Sequence, residues 1–266
     1  MRELGGRTAI VFGGGHSGLG PGGVHGIGFE CALTYARHGA SVVVVDRDRE
    51  AAMRAAKLIS DEDGECLPIV ADALNENEVA ASVKDALRAY GQIDVVQNNI
   101  GLAELGGPEE LTLNDWRRVI AVNLDTVFLG AKHALPHLAR SRGSMINMSS
   151  VASIRWTGYP YPAYSAAKAA VNQLTQSLAI LYADAGVRVN AILAGLIDTP
   201  LVYRELAAGA AADDIKATRD AMSPTGSMGT AQDVAAAALF LASDASKYVN
   251  GVLLPVDGGL HVGAGS

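Results

Sequence analysis

The sequence predicts an α/β protein, a single domain over residues 1–266 with a doubly wound parallel sheet and helices on both faces. Three observations point there. Short β-branched apolar runs alternate along the chain with stretches of helical periodicity, and no linker interrupts them. A glycine-rich turn joins the first run to the first helix. Small and polar residues follow directly after the apolar runs, where an open parallel sheet places its ligand.

The first run, Arg7 to Phe12, reads as a buried strand and leads into glycines at 13, 14, 15, 18, 20, 22, 23, 26 and 28. Ile27, Cys31, Ala32, Tyr35 and Ala36 then recur at helical spacing, and Gly39 supplies a C-terminal stop. Ser41 to Val45 is the second strand and ends in Asp46. Strand, glycine turn, helix, strand and acid in that order make the dinucleotide-binding βαβ pattern of a Rossmann-type sheet. Glycines let the backbone approach a pyrophosphate, whose charge suits the N–H groups at a helix start. The acid suits the ribose hydroxyls. A merely flexible loop is the competing reading of the same glycines.

Alternation continues with a helix over about Arg49 to Ser60, a strand at Cys66 to Val70 and a helix over about Glu76 to Tyr90. A strand at Ile93 to Gln97, a long helix over about Asn114 to Leu138 and a strand at Ser144 to Met148 follow. A helix around Tyr164 leads to strands at Val187 to Leu193 and near Val252 to Val256. The residues just past the strands are Asp46, Asp72, Asn98-Asn99-Ile100-Gly101, Ser149-Ser150 and Ala194-Gly195, a set that suits a cofactor cleft.

Of the eight tyrosines only Tyr164 has a lysine four residues on, Lys168, at the head of an alanine-rich helical stretch. Positions i and i+4 share a helix face. An ammonium beside a phenol favours the phenolate over its ordinary pKa of about 10, which suits a general acid/base near neutral pH. A solvent-facing Tyr/Lys pair would show the same spacing.

Composition narrows the function classes. A net charge of −7 argues against an electrostatic nucleic-acid binder. No apolar run approaches the length of a membrane span. The first strand begins within a few residues of Met1, which leaves no room for a signal peptide, and Cys31 and Cys66 read as small buried residues in a reducing compartment. A cytoplasmic protein is expected.

With these motifs in order, the chain resembles the short-chain dehydrogenase/reductase family over nearly its whole length. Asn98-Asn99-Ile100-Gly101 is similar to the family's Asn-Asn-Ala-Gly, Tyr164 and Lys168 to its Tyr-x-x-x-Lys, and Val256-Asp257-Gly258-Gly259 to its C-terminal signature. The resemblance implies a catalytic set of Tyr164, Lys168, Ser150 for the substrate oxygen, and Asn123 in a proton relay. It implies a cofactor held by Gly14, His25, Gly26, Ile27, Gly28, Asp46, Arg47, Asp72, Ala73, Asn99, Ile197 and Thr199, together with Tyr164 and Lys168. No metal is expected. The family usually forms tetramers through the long helix and the Tyr164 helix, where Ala166, Ala167, Ala169 and Ala170 are small enough for close approach.

The chain departs from the family pattern in several places. Gly13 stands for a threonine, Ala194-Gly195 for Pro-Gly, and the Ser150 to Tyr164 interval is one residue longer than usual, which leaves Ser149 as a rival to Ser150. The glycine loop holds two trios, Gly18-Leu19-Gly20 and Gly26-Ile27-Gly28. Pro21, Gly22 and Gly23 are poor helix-interior residues. Gly28 lies 18 residues before Asp46 against 26 for Gly20, so the second trio starts the helix and His16 to Gly23 is an eight-residue insertion. It is either a tolerated surface excursion or a flap over the cofactor.

Other residues carry two readings. His133 and His137 share a helix face but lack further ligands, and read as helix or interface residues rather than half a metal site. Trp156, Tyr159 and Tyr161 either line a substrate pocket or pack a loop. In the resembled family the region from about 199 to 228 is a substrate lid. Here Leu201, Val202, Tyr203 and Leu206 make it apolar, which implies a substrate with hydrophobic surface.

The expected function is hydride transfer between NAD(H) and a secondary alcohol or ketone, with NADP the less favoured cofactor. An NADPH-dependent 3-oxoacyl reductase is the alternative within the class, and a non-catalytic dinucleotide sensor or scaffold the alternative outside it. An enoyl reductase fits less well, because that relative spaces its tyrosine and lysine further apart.

Overall fold

In the computed structural model, which describes residues 2–205 and 211–263, seven parallel strands form one sheet. Strand β1 is Thr8–Phe12 and is followed by helix α1, Ile27–Arg37. Then come β2 (Ser41–Asp46), α2 (Arg49–Ser60), β3 (Cys66–Val70), α3 (Glu76–Tyr90) and β4 (Val95–Asn98). Next are α4 (Leu113–Ile120), α5 (Thr126–Ser141), β5 (Ser144–Ser150), α6 (Pro162–Leu181) and β6 (Arg188–Ala194). The chain continues through β7 (Ile197–Asp198), α7 (Pro200–Glu205), α8 (Ala212–Met222), β8 (Gly229–Thr230), α9 (Ala231–Ala242) and β9 (Leu253–Val256). The sheet order β3-β2-β1-β4-β5-β6-β9 reverses direction between β1 and β4, which opens a crevice at the carboxyl ends of those strands.

The alternation of strand side chains builds two cores. Ala9, Val11, Val42 and Val44 face α1, α2 and α9, where Phe29, Ala55, Ile59 and Val234 close the layer. Ile10, Phe12, Val43 and Val45 face the opposite side, against Val79, Val83, Leu135 and Leu138 of α3 and α5. Both prolines within the sheet, Pro68 of β3 and Pro255 of β9, lie on its two edge strands, where a missing N–H costs no ladder bond.

Predicted and observed elements differ in instructive places. Strand β4 starts at Val95 rather than Ile93, whose carbonyl is taken by the Ser141 hydroxyl at 2.7 Å. The long helix runs from Leu113 to Ser141 but contains a π turn at Ala121–Asp125, with Asn123 inside it. The two-residue strands β7 and β8 pair with each other outside the main sheet. Helix α1 starts at Ile27, as the second glycine trio requires, and the preceding insertion forms a 3₁₀ turn at Pro21–Gly23. Leu206, placed in the apolar lid by the sequence, falls outside the described residues.

Candidate active site

Several helices begin on a side-chain cap: Asp48 on α2, Asn75 on α3, Thr112 on α4 and Thr230 on α9. Helix α1 does not. Its N-cap is Gly26, no side chain covers the first-turn N–H groups, and a Cβ there would meet nothing within 4 Å. The positive end of α1 therefore faces open space at the crevice.

Glycines bring the backbone together at this point. A Cβ on Gly28 would lie 2.0 Å from the Gly13 carbonyl oxygen, so α1 closes on β1 only through glycine. The Gly15 N–H donates to Asp46 Oδ2 at 3.0 Å, while Asp46 Oδ1 accepts from the Asp48 N–H at 3.1 Å. Each oxygen keeps further acceptor capacity, and Asp46 lines the cleft. Asn99 donates through Nδ2 to the Gly13 carbonyl at 3.3 Å, and its buried Oδ1 has no partner.

The resulting cleft, about 650 Å³, is lined by Gly26, Ile27, Gly28, Asp46, Arg47, Asp72, Ala73, Asn99, Tyr164, Lys168 and Thr199 of the expected cofactor residues. That volume and donor set fit a dinucleotide. Three expected residues stand elsewhere. Gly14 is buried against Val11, so Gly13 and Gly15 form the wall in its place. His25 turns away and meets Glu30 through Nδ1 at 2.9 Å. Ile197 lines a second, adjoining cavity. Ser17, Arg118 and Arg204, which the sequence reading passed over, also line the cleft.

Tyr164 and Lys168 lie on α6, which opens with Pro162 at its first position. Lys168 is buried. Its Nζ donates to the Met148 carbonyl at 2.9 Å and stands 5.7 Å from the Tyr164 ring centre. Burial pushes the ammonium down from 10.5 to about 8. Asn123 flanks the same spot, since a Cβ on Gly101 would lie 3.3 Å from Asn123 Oδ1 and 3.5 Å from Lys168 Nζ. The Asn123 amide donates to the carbonyls of Leu102 and Val119, both at 2.8 Å, and so holds the loop after β4 beside the lysine.

The two serines face different spaces. Ser149 lines the larger cleft and its hydroxyl donates to the Lys168 carbonyl at 3.2 Å. Ser150 lines the second cavity, where its hydroxyl makes only a long 3.4 Å bond to the Ala194 carbonyl and accepts from the Ala152 N–H. Val151, Tyr161, Leu196, Leu201 and Val202 make that cavity largely apolar, and Arg219 of α8 also lines it. Tyr161 joins its wall, whereas Trp156 is exposed and does not. Among the described lining residues Tyr164 is the one titratable group shared by both cavities.

The remaining candidates have ordinary surroundings. His133 meets Glu76, which also holds Lys132, and no cluster of three metal-binding side chains occurs among the described residues. Cys31 and Cys66 are unpaired, and burial raises both thiols, Cys66 to about 12. No helix among the described residues is long and apolar enough to cross a membrane.

Comparison with known proteins places this geometry. A family model described as enoyl-(acyl carrier protein) reductase matches residues 22–261. The chain is 41% identical to a cis-4-hydroxycyclohexanecarboxylate dehydrogenase of Sinomonas cyclohexanicum, over 90% of this chain and 93% of that one. It is 37% identical to a 2,5-dichloro-2,5-cyclohexadiene-1,4-diol dehydrogenase of Sphingobium indicum, over 98% of each. It is 35% identical to 3beta-hydroxysteroid dehydrogenase 1 of Eggerthella lenta, over 97% of this chain and 95% of that one. A crystal structure described as a short-chain dehydrogenase/reductase, from Burkholderia xenovorans, superposes with a TM-score of 0.93 at 35% identity, covering 99% of each chain. An enzyme of the oxidoreductase class working with a nicotinamide dinucleotide, this chain belongs to the short-chain dehydrogenase/reductase family.

Proposed function

We propose that the protein is an NAD-dependent dehydrogenase that interconverts small, ring-bearing secondary alcohols and their ketones, with Tyr164 as general acid/base. One observation carries the reading: Tyr164 stands at the junction of a dinucleotide-sized cleft and a smaller apolar cavity that holds Ser150. The relatives named above act on ring alcohols, which supports the substrate class.

The residues divide the work. Ser150 donates a hydrogen bond to the substrate oxygen and orients the carbinol carbon. Tyr164 takes the hydroxyl proton in oxidation and returns it in reduction. The Lys168 ammonium stabilises the phenolate, and Asn123 positions the loop beside it along the path by which the proton leaves. Asp46, Gly26 and Asn99 would hold the dinucleotide, which supplies the hydride acceptor when bound. Asp46 repels the extra phosphate of NADP, which supports NAD over NADP, although Arg47 partly offsets it.

In the stretch 199–228 the described residues 199–205 and 211–228 act as the lid over the substrate cavity, supported by Leu201, Val202 and Arg219 in its wall. A tetramer through α4, α5 and α6 is supported by the exposed Leu113, Trp116 and Phe128. Light scattering that gives a monomer mass would refute the tetramer.

The functional test is a panel of secondary alcohols, cyclohexanol among them, followed by cofactor absorbance with NAD and NADP in parallel. Turnover of ring alcohols that Tyr164→Phe abolishes is the expected result. Cofactor binding without turnover of any alcohol or ketone would favour the non-catalytic sensor instead.

A further inference from the structure

Arg219 is 5% exposed on α8 and is the one charged side chain among the described residues of the substrate cavity. Its surroundings satisfy it only in part. Nε donates to Met228 Sδ at 3.2 Å and Nη1 to Tyr159 Oη at 3.2 Å, with the guanidinium carbon 5.6 Å from the Tyr159 ring centre. Among the described residues Nη2 has no hydrogen-bond partner, and it is not fully enclosed. No carboxylate among the described residues lies within salt-bridge distance of it. Guanidinium cannot shed its proton to escape burial, and a buried charge is costly without a counter-charge. The ring face and the two neutral acceptors compensate weakly, so the protein leaves a place for an anion.

That anion belongs to the substrate rather than to the cofactor. Arg219 lines the cavity of Ser150 and Ile197, and is absent from the walls of the cleft that holds Asp46 and Gly26. A chain of ring contacts runs from it to Tyr164: Tyr159 stacks 5.7 Å from Tyr161, and Tyr161 meets Tyr164 edge-on at 5.2 Å. A lone guanidinium matches a single negative charge, and its planar fork suits a carboxylate. The rest of the wall is largely apolar, with Val151, Leu196, Ile197, Leu201 and Val202, which suits a ring between hydroxyl and carboxylate.

We propose that Arg219 is a specificity residue that binds a carboxylate on the substrate, so that the preferred substrates are alicyclic hydroxy acids. The proposal rests on the secondary-alcohol reading above. The structural alternative is a strut, in which Arg219 merely joins α8 to Tyr159.

The experiment compares 3- and 4-hydroxycyclohexanecarboxylates with their methyl esters and with cyclohexanol, in the wild type, Arg219→Met and Arg219→Lys. Wild type should favour the acids over their esters by about 10- to 100-fold in kcat/KM, chiefly through KM, as expected for a charge-assisted hydrogen bond. Arg219→Met should erase that preference while ester and cyclohexanol turnover persists, and Arg219→Lys should keep part of it. Equal wild-type rates on acid and ester, or an equal loss on all substrates in Arg219→Met, overturns the proposal in favour of the strut. Calorimetric titration of cyclohexanecarboxylate against cyclohexanecarboxamide needs no turnover, and separates this proposal from the alcohol reading. Wild type should bind only the carboxylate. Equal binding of the two, or binding of neither, also overturns the assignment, even if Arg219→Met fails to fold.

Discussion

A Cβ on Gly13 would stand 2.8 Å from Ile100 Cγ1, and Gly13 itself has φ +75°. The two positions where this chain departs from its family's threonine and alanine therefore touch: the larger Ile100 occupies space that the missing Gly13 side chain leaves. Gly13→Ala should destabilise the fold by about 2 to 4 kcal/mol, with about 1–2 from the left-handed backbone and the rest from overpacking. Adding Ile100→Ala should recover the overpacking share alone. Chemical denaturation of the two single variants and the double variant measures the coupling, and simple additivity would show that the residues do not compensate.

Ser150 and Tyr164 face one cavity while Ser149 faces the other, which separates their expected phenotypes. Tyr164→Phe should lower kcat by about 10²- to 10⁴-fold with NAD binding retained. Ser150→Ala should lower it by about 10²- to 10³-fold, the usual cost of one donor to a developing oxyanion. Ser149→Ala removes a bond to the Lys168 carbonyl and should have a smaller effect. A greater loss from Ser149→Ala would reverse the serine assignment.

Lys168 couples the site to stability. Its folded pKa of about 8 lies below the ordinary 10.5, so between those values the unfolded chain binds more protons and stability rises with pH. Below about pH 8 the full penalty applies, on the order of 3 kcal/mol at about 1.4 per pKa unit. Lys168→Met removes it. The wild type should accordingly gain stability relative to Lys168→Met on going from pH 7 to pH 10, read as the difference between their thermal midpoints. A difference that does not change across this interval would contradict the burial argument.

Asp46 holds the Gly15 N–H and, in the function proposed above, also discriminates NAD from NADP, two tasks that substitution can separate. Asp46→Ser should narrow the NAD over NADP preference by about 10- to 100-fold in kcat/KM, the scale of one charge-assisted contact. Asp46→Asn keeps the shape that receives the Gly15 N–H and should preserve the loop while losing charge discrimination. Steady-state kinetics with both cofactors decide this, and a wild type that already favours NADP would overturn the assignment.

The parts legible in the sequence are those with a periodic or local signature. Short β-branched runs mark the strands, the four-residue interval brings Lys168 to Tyr164, and Pro21 with Gly22 and Gly23 disqualifies the first glycine trio as a helix start. The features that escaped depend on which way a side chain turns or on distant contacts. His25 belongs to the glycine loop yet rotates toward Glu30. Arg219 sits on an ordinary alanine-bearing helix, and only the tertiary fold carries it to the wall of the cavity that holds Ser150. Strands β7 and β8 are two residues each, too short for any alternation to register.

The glycine loop gives the last prediction. Gly26 has φ −76° and open space where a Cβ would go, so Gly26→Val should fold normally, and its side chain would occupy the room in front of the α1 N-terminus. Gly18 also has no neighbour within 4 Å, but its φ of +103° strains any other residue. The two substitutions should fail in different assays. Gly26→Val should lower NAD affinity severely in a calorimetric titration while leaving the thermal midpoint near wild type. Gly18→Val should lose stability, by about 1–3 kcal/mol for a forced left-handed conformation, and retain most of its NAD affinity. The insertion around Gly18 is packed at both ends, with the His16 N–H on the Ala51 carbonyl and Gly20 against Pro200. A larger loss of NAD binding from Gly18→Val than from Gly26→Val would place the pyrophosphate at the first trio and make the insertion part of the cofactor site.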